Sequence, residues 1–210
     1  MWTKNPKNWL WLFLFGSLWG AVEVVGGEAL YRAGVPSSSV WLAAAALFLL
    51  AVGRGVLNRP GTSAVVGAVA ALYKLANAAP FFCHLLGIFM VGLVFDVLAS
   101  LLLVEKEKRR AWWRAPLVGA LGAYTSNALF AVLMTFVVRY RYWIGDGLRK
   151  FSRHIVLAGS LVALVSLFLV PLGLRLGAGG EALSMKRPRW AATGAAALAC
   201  AAWAAGRLFA

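Results

Sequence analysis

Three charged side chains stand inside long apolar runs of this sequence: Glu23, Lys74 and Asp96. A charge held in hydrocarbon is costly unless it is paired or wet, so each is a candidate for chemistry. Glu23 shares one helical face with Gly16, Gly20 and Gly27. Lys74 repeats the same offsets with Gly67, Ala71 and Ala78. Small residues let helices approach closely, so each charge sits on a close-packing stripe. Both charges fall roughly 18–22 Å from the end where the first run begins, at about 1.5 Å per residue. They can pair with one another, or flank one pocket. Asp96 lies in line with Gly92 and Ser100; it suits a helix–helix contact, for which Arg54 is one partner, or a role in coupling to a cytoplasmic partner.

Other polar groups could help to hold a solute. Asn77, Tyr124, Ser126 and Asn127 interrupt apolar runs, and can bond either a solute or a neighbouring helix. Cys83 and His84 adjoin, and His154 opens a later run. With Glu28 they offer thiolate, imidazole and carboxylate, the ligand types of transition metals. Their spacing fits no zinc motif, and Cys83 and Cys200 lie too far apart in sequence to make a disulfide framework. Histidines that only hydrogen-bond are the commoner case, so no metal is assigned. The ten Trp residues lie mostly near the ends of apolar runs, where an aromatic belt belongs.

Several chemistries have no residues to carry them. There is no GxxxxGK[ST], no HExxH and no GxSxG, nor a close carboxylate pair for acid–base work. The chain is read as a non-enzyme without a cofactor. The net charge of +14 would point to nucleic acid in a soluble protein. Here the basic residues lie between apolar blocks, where orienting charges and lipid headgroups require them, so nucleic acid is not an expected partner.

The elements that must position these residues are membrane spans. Of the 210 residues, 62% are hydrophobic and 13% charged, against about 45–50% and about 25% in soluble domains. A bilayer core about 30 Å thick takes about 20 helical residues. The apolar runs predict spans at 8–29, 38–57, 62–79, 81–104, 115–138 and 154–174, and an Ala-rich seventh helix at 190–208. The fold class is all-α: a polytopic transmembrane bundle of six spans plus that seventh helix. It forms a single integral membrane domain over 1–210, with the core bundle over about 8–176 and the additional helix over about 188–208. The first run lacks a small-x-small cleavage site and is read as a retained span. With the N-terminus in the cytoplasm, 13 of the 21 Lys and Arg fall inside and 8 outside. That bias favours this orientation, although the loop over 139–153 places five basic residues outside. A chain of this kind with no energy module moves solute passively, couples to an ion, or borrows energy from a partner. A non-transport scaffold subunit is the remaining alternative.

The segment GSLWGAVEVVGG, followed by GVPSSSVWLAAAALFLLAVGRGVLNRPGTSAVVGAVAALYKLANAAP, resembles the substrate-binding S components of energy-coupling factor transporters. The likeness is to a group with a WGxxE-type first helix, and covers about residues 10–100. It implies a six-helix bundle that binds a vitamin or a transition-metal ion from the outer side. It implies docking on a transmembrane coupling subunit and cytoplasmic ATPases through small residues of the first helix, here Gly16 and Gly20. The implied pocket lies in the outer half, where Glu23, Lys74 and Asn77 fall. With them, His84 and Asn127 complete the expected solute-binding set. A seventh span exceeds the family's six. The expected location is the cytoplasmic membrane of a bacterium or archaeon.

Overall fold

A computed structural model describes residues 6–78, 80–103, 112–145, 147–186 and 188–209. Helix α1 runs Pro6–Ala21, passes through a π turn at Val22–Gly26 and finishes as Gly27–Arg32. It is followed by α2 (Ser38–Val56), α3 (Thr62–Asn77) and α4 (Phe82–Leu102). After a 3-10 turn at Trp112–Arg114, α5 runs Ala115–Val132 and continues as a π turn at Leu133–Val137. A one-turn helix α6 (Arg141–Ile144) leads into α7. Helix α7 comprises Gly147–Arg153, a π turn at His154–Ala158, and Gly159–Lys186. Helix α8 is Pro188–Phe209. No strand occurs among the described residues.

Five of these helices are long and apolar enough to cross a membrane: Lys7–Arg32, Ser38–Val56, Phe82–Leu102, Ala115–Val137 and Leu148–Gly180. Two helices depart from the expected bounds. The third span ends at Asn77 and has 16 residues, which is ~24 Å of helix against a core of about 30 Å. The sixth span, expected over 154–174, lies within a helix that extends well past both limits.

The helices alternate in direction and define two ends. The basal end holds the start of α1 and the turn over 57–61. The distal end holds the turn over 33–37, the end of α3, the start of α4 and residues 138–145. Glycines set the turns. Gly34 has φ +64 and closes α1 with bonds from Gly34 N to Tyr31 O and Val35 N to Leu30 O, a left-handed C-terminal cap. Gly61, at φ +88, precedes α3, and a side chain there would be strained.

Close helix approach relies on small residues. Gly173 and Gly177 of α7 face Ala51 and Gly55 of α2, and a Cβ on Gly55 would lie 2.8 Å from Gly177 Cα. The two helices therefore run parallel, one turn of each matching one turn of the other. Gly92 of α4 meets Gly67 of α3, with 2.9 Å from its would-be Cβ to the opposite Cα. Leu12, Phe15 and Trp19 of α1, Leu47 and Leu50 of α2, and Phe95 of α4 fill the core between them. Helix α8 lies along α1 and α3. Ala195 and Ala199 pack on Leu14, Trp203 Nε1 donates to Ser17 Oγ at 3.0 Å, and the Tyr73 hydroxyl donates to Ala202 O. These contacts advance together along both chains, so α8 runs parallel to α1.

Candidate functional site

The distal half of α1 carries a half-buried charge. Glu23 sits in the π turn, a feature frequent at functional sites because it interrupts the regular helical bonding. Its Oε2 accepts from Lys74 Nζ at 2.9 Å, and its Oε1 accepts from Trp19 Nε1 at 3.3 Å. The two charged side chains are 11% and 12% exposed. Gly20 makes the pairing possible: the Tyr73 ring packs directly on its Cα. α1 and α3 are thus close enough for Lys74, the next residue, to reach Glu23. The pair is only partly satisfied. A carboxylate offers about four acceptor positions and an ammonium three donors. Among the described residues, the recorded bonds use two positions of Glu23 and one of Lys74.

The structure gathers some of the expected residues and separates others. His84, on the first turn of α4, is exposed and lies edge-on to Phe81. Asn77 is buried one turn beyond Tyr73. Its Nδ2 donates to Tyr73 O at 2.9 Å, its Oδ1 has no partner, and its Cγ faces Gly206 of α8. Asn127 is not part of this group. It lies in the seam between α5 and α7, where its Nδ2 donates to Ala123 O at 2.8 Å and its Cβ faces Gly159. Tyr124 bonds Ser160 in the same seam, and Ser126 bonds back to Gly122 O. Gly16 and Gly20, expected at a docking face, are buried against Val69 and Tyr73 of α3. Their lack of a side chain serves the bundle itself.

The metal candidates do not converge. Cys83 adjoins His84, but His154 packs against the rings of Trp143 and Phe130, at 5.0 and 5.5 Å between centroids. Glu28 pairs with Arg32 on the surface at 2.7 Å. Among the described residues, no three His, Cys, Asp or Glu side chains are grouped to hold a metal ion.

The chain matches no protein-family model, no curated protein and no solved structure. Its site is read from its own residues.

The basal end shows what a completed polar network looks like. Arg54, 1% exposed, donates to Asp96 Oδ1 at 3.2 Å, Ser100 Oγ at 2.8 Å, Thr62 Oγ1 at 3.3 Å, Asn58 Oδ1 at 3.2 Å, and Arg59 O. Asp96 also accepts from Gly61 N at 2.7 Å and Ser63 N at 2.8 Å. Its carboxylate thus caps the start of α3 from a different helix, where free N–H groups and the helix dipole favour negative charge. The helix–helix contact of Asp96 with Arg54 is present. The network extends it in a way that residue types alone did not indicate.

A second distal feature lay outside the sequence reading. Trp143 of α6 packs edge-on against Phe130 at 5.2 Å, donates from Nε1 to Thr135 Oγ1 at 2.7 Å, and lies beneath Lys150 Nζ at 5.6 Å. This fastens α6 to the ends of α5 and α7. Between α3 and α4 runs a wholly apolar groove of about 390 Å³, lined by residues that include Ala68, Leu72, Phe82 and Phe89.

Proposed function

We propose that the protein is the solute-capture subunit of an uptake system in a bacterial or archaeal cytoplasmic membrane. In this reading it is an S component that works with a transmembrane coupling subunit and cytoplasmic ATPases. α3 and α8 cross the bilayer beside the five long helices, the basal end faces the cytoplasm and the distal end faces out. The Lys and Arg bias supports that orientation, and the parallel run of α8 along α1 supports its crossing. Because Gly16 and Gly20 are buried against α3, they take no part in docking in this proposal.

The observation that carries the reading is the incomplete Glu23–Lys74 pair. At the basal end, Asp96 accepts three bonds and Arg54 donates five. At the distal end, a carboxylate and an ammonium of similar burial hold one another with positions left open. Such a pair can trade its mutual bond for the charged groups of a ligand. A buried pair kept only for stability gains little over apolar packing.

The test begins with the tagged protein drawn from its native membrane in mild detergent. A coupling subunit and two ATPases retained with it are the expected result. Recovery of the protein alone, followed by solute flux in liposomes without ATP, would replace this reading with a self-contained transporter. Glu23→Gln and Lys74→Met, each measured by equilibrium binding of the co-purifying solute, should each shift its affinity by about tenfold or more, as loss of a charge-assisted bond or of a competing charge does. Unchanged affinity in both would remove the pair from the site.

A further inference from the structure

The distal segment over 138–153 carries Arg139, Arg141, Arg149, Lys150 and Arg153 against a single acid, Asp146. The four arginines are exposed. In an outward-facing loop these charges oppose the orientation that the rest of the chain favours, so their presence calls for a reason other than topology. The segment is also held in place. Trp143 is locked between Phe130, His154 and Thr135, and Lys150 lies over its ring. The cations flank this anchor along the chain and form a basic rim at the distal end.

That rim shares its end with the Glu23–Lys74 pair. Phe130, on which Trp143 packs, lies against Gly87, one turn beyond Cys83 on α4, and α4 begins just after the last turn of α3, which bears Lys74. His84 stands beside Cys83 on the first turn of α4. The acids described at this end are already engaged: Glu28 with Arg32, and Glu23 with Lys74. A surface dominated by one sign of charge concentrates the opposite sign and speeds its arrival.

We infer that the captured solute is a small anion bearing a carboxylate or phosphate group, gathered by the basic rim over 138–153 and bound through Lys74, which exchanges Glu23 for it. This rests on the capture reading and gives it a substrate class. The rim accelerates encounter and tunes salt dependence, as peripheral charges do. Lys74 supplies the binding contact, where a partly desolvated ammonium makes a strong charge-assisted bond.

The experiment uses purified full-length protein in neutral detergent, with inorganic phosphate and acetate as minimal probes. Thermal stability is titrated with each at constant ionic strength, and with chloride as the reference anion. Saturable stabilisation by phosphate or acetate beyond chloride is expected. It should weaken by about tenfold or more in the double variant Glu23→Gln/Lys74→Met, which removes both charges together and so leaves no unpaired buried group. Arg149→Glu should weaken it roughly two- to threefold and flatten its salt dependence, and Arg175→Gln, exposed near the basal end, should leave it unchanged. Equal effects of all three anions, or full retention in the double variant, would overturn the inference. A parallel arm in phosphatidylcholine nanodiscs with and without phosphatidylglycerol separates the sources. Stabilisation by phosphatidylglycerol but by neither free anion would assign the rim to lipid headgroups and end the solute inference. Co-purification of a coupling subunit together with a negative anion titration would keep the uptake reading and discard only this one.

Discussion

Asp96 and Glu23 are both carboxylates in apolar helices, and their surroundings give them opposite character. Asp96 accepts from one guanidinium and two backbone N–H groups, and ties the turn over 57–61 to α4. Glu23 accepts from an indole and one ammonium. Removing Asp96 leaves the buried Arg54 uncompensated and the start of α3 uncapped. Asp96→Ala should therefore destabilise the protein by about 3–5 kcal/mol, read as a large drop in thermal stability in detergent. Asp96→Asn should recover part of it, since its carbonyl still accepts. The Glu23 variants should change stability less than they change solute binding. A charge in an apolar run is easy to read in a sequence, and Asp96 was open there to a helix contact, with Arg54 as one partner, or to a cytoplasmic partner. The two roles were not legible, because they depend on how many donors surround each carboxylate. Those donors come from turns and helices distant in sequence, such as Gly61 and Ser63. Asn127 shows the same limit: its residue type suited a solute site, but its helix turns it toward α7.

At the scale of elements, small residues decide which helices touch. The contact of α2 with α7 depends on Gly55, Gly173 and Gly177, where backbones meet directly. An alanine at Gly177 would drive its methyl into the Val52 carbonyl. Gly177→Ala should cost about 1–3 kcal/mol by overpacking, whereas Gly179→Ala, with open space around it, should be neutral. Comparing the thermal stability of the two variants checks this. The glycine stripe of α1 was visible as a stripe, but whether it faced a partner or the bundle was not, since both uses favour small residues. The structure gives it to α3. Helix lengths were legible for most spans because apolar runs are long. They failed at α7, where apolar sequence and helical bonding both continue beyond what a bilayer needs: Leu148–Gly180 is 33 residues, ~50 Å of helix.

For the whole molecule, orientation is the property most open to direct measurement. In a background of Cys83→Ser and Cys200→Ala, Ser39→Cys at the distal end should react with a membrane-impermeant maleimide on intact cells. Trp113→Cys at the basal end should react only after the membrane is opened. The reverse pattern would invert the proposed topology and put the basic rim in the cytoplasm. The capping of α3 by Asp96 has a consequence for how the chain is made. The N–H groups of Gly61 and Ser63 are satisfied by a residue that leaves the ribosome more than thirty positions later. Until then α3 is a short helix with an open end, and hydrocarbon tolerates unsatisfied backbone poorly. α3 and α4 should therefore partition from the translocation machinery as a hairpin rather than one after the other. A nascent chain halted after residue 80 should leave α3 at the mouth of the channel, and one halted after residue 103 should release both helices into lipid.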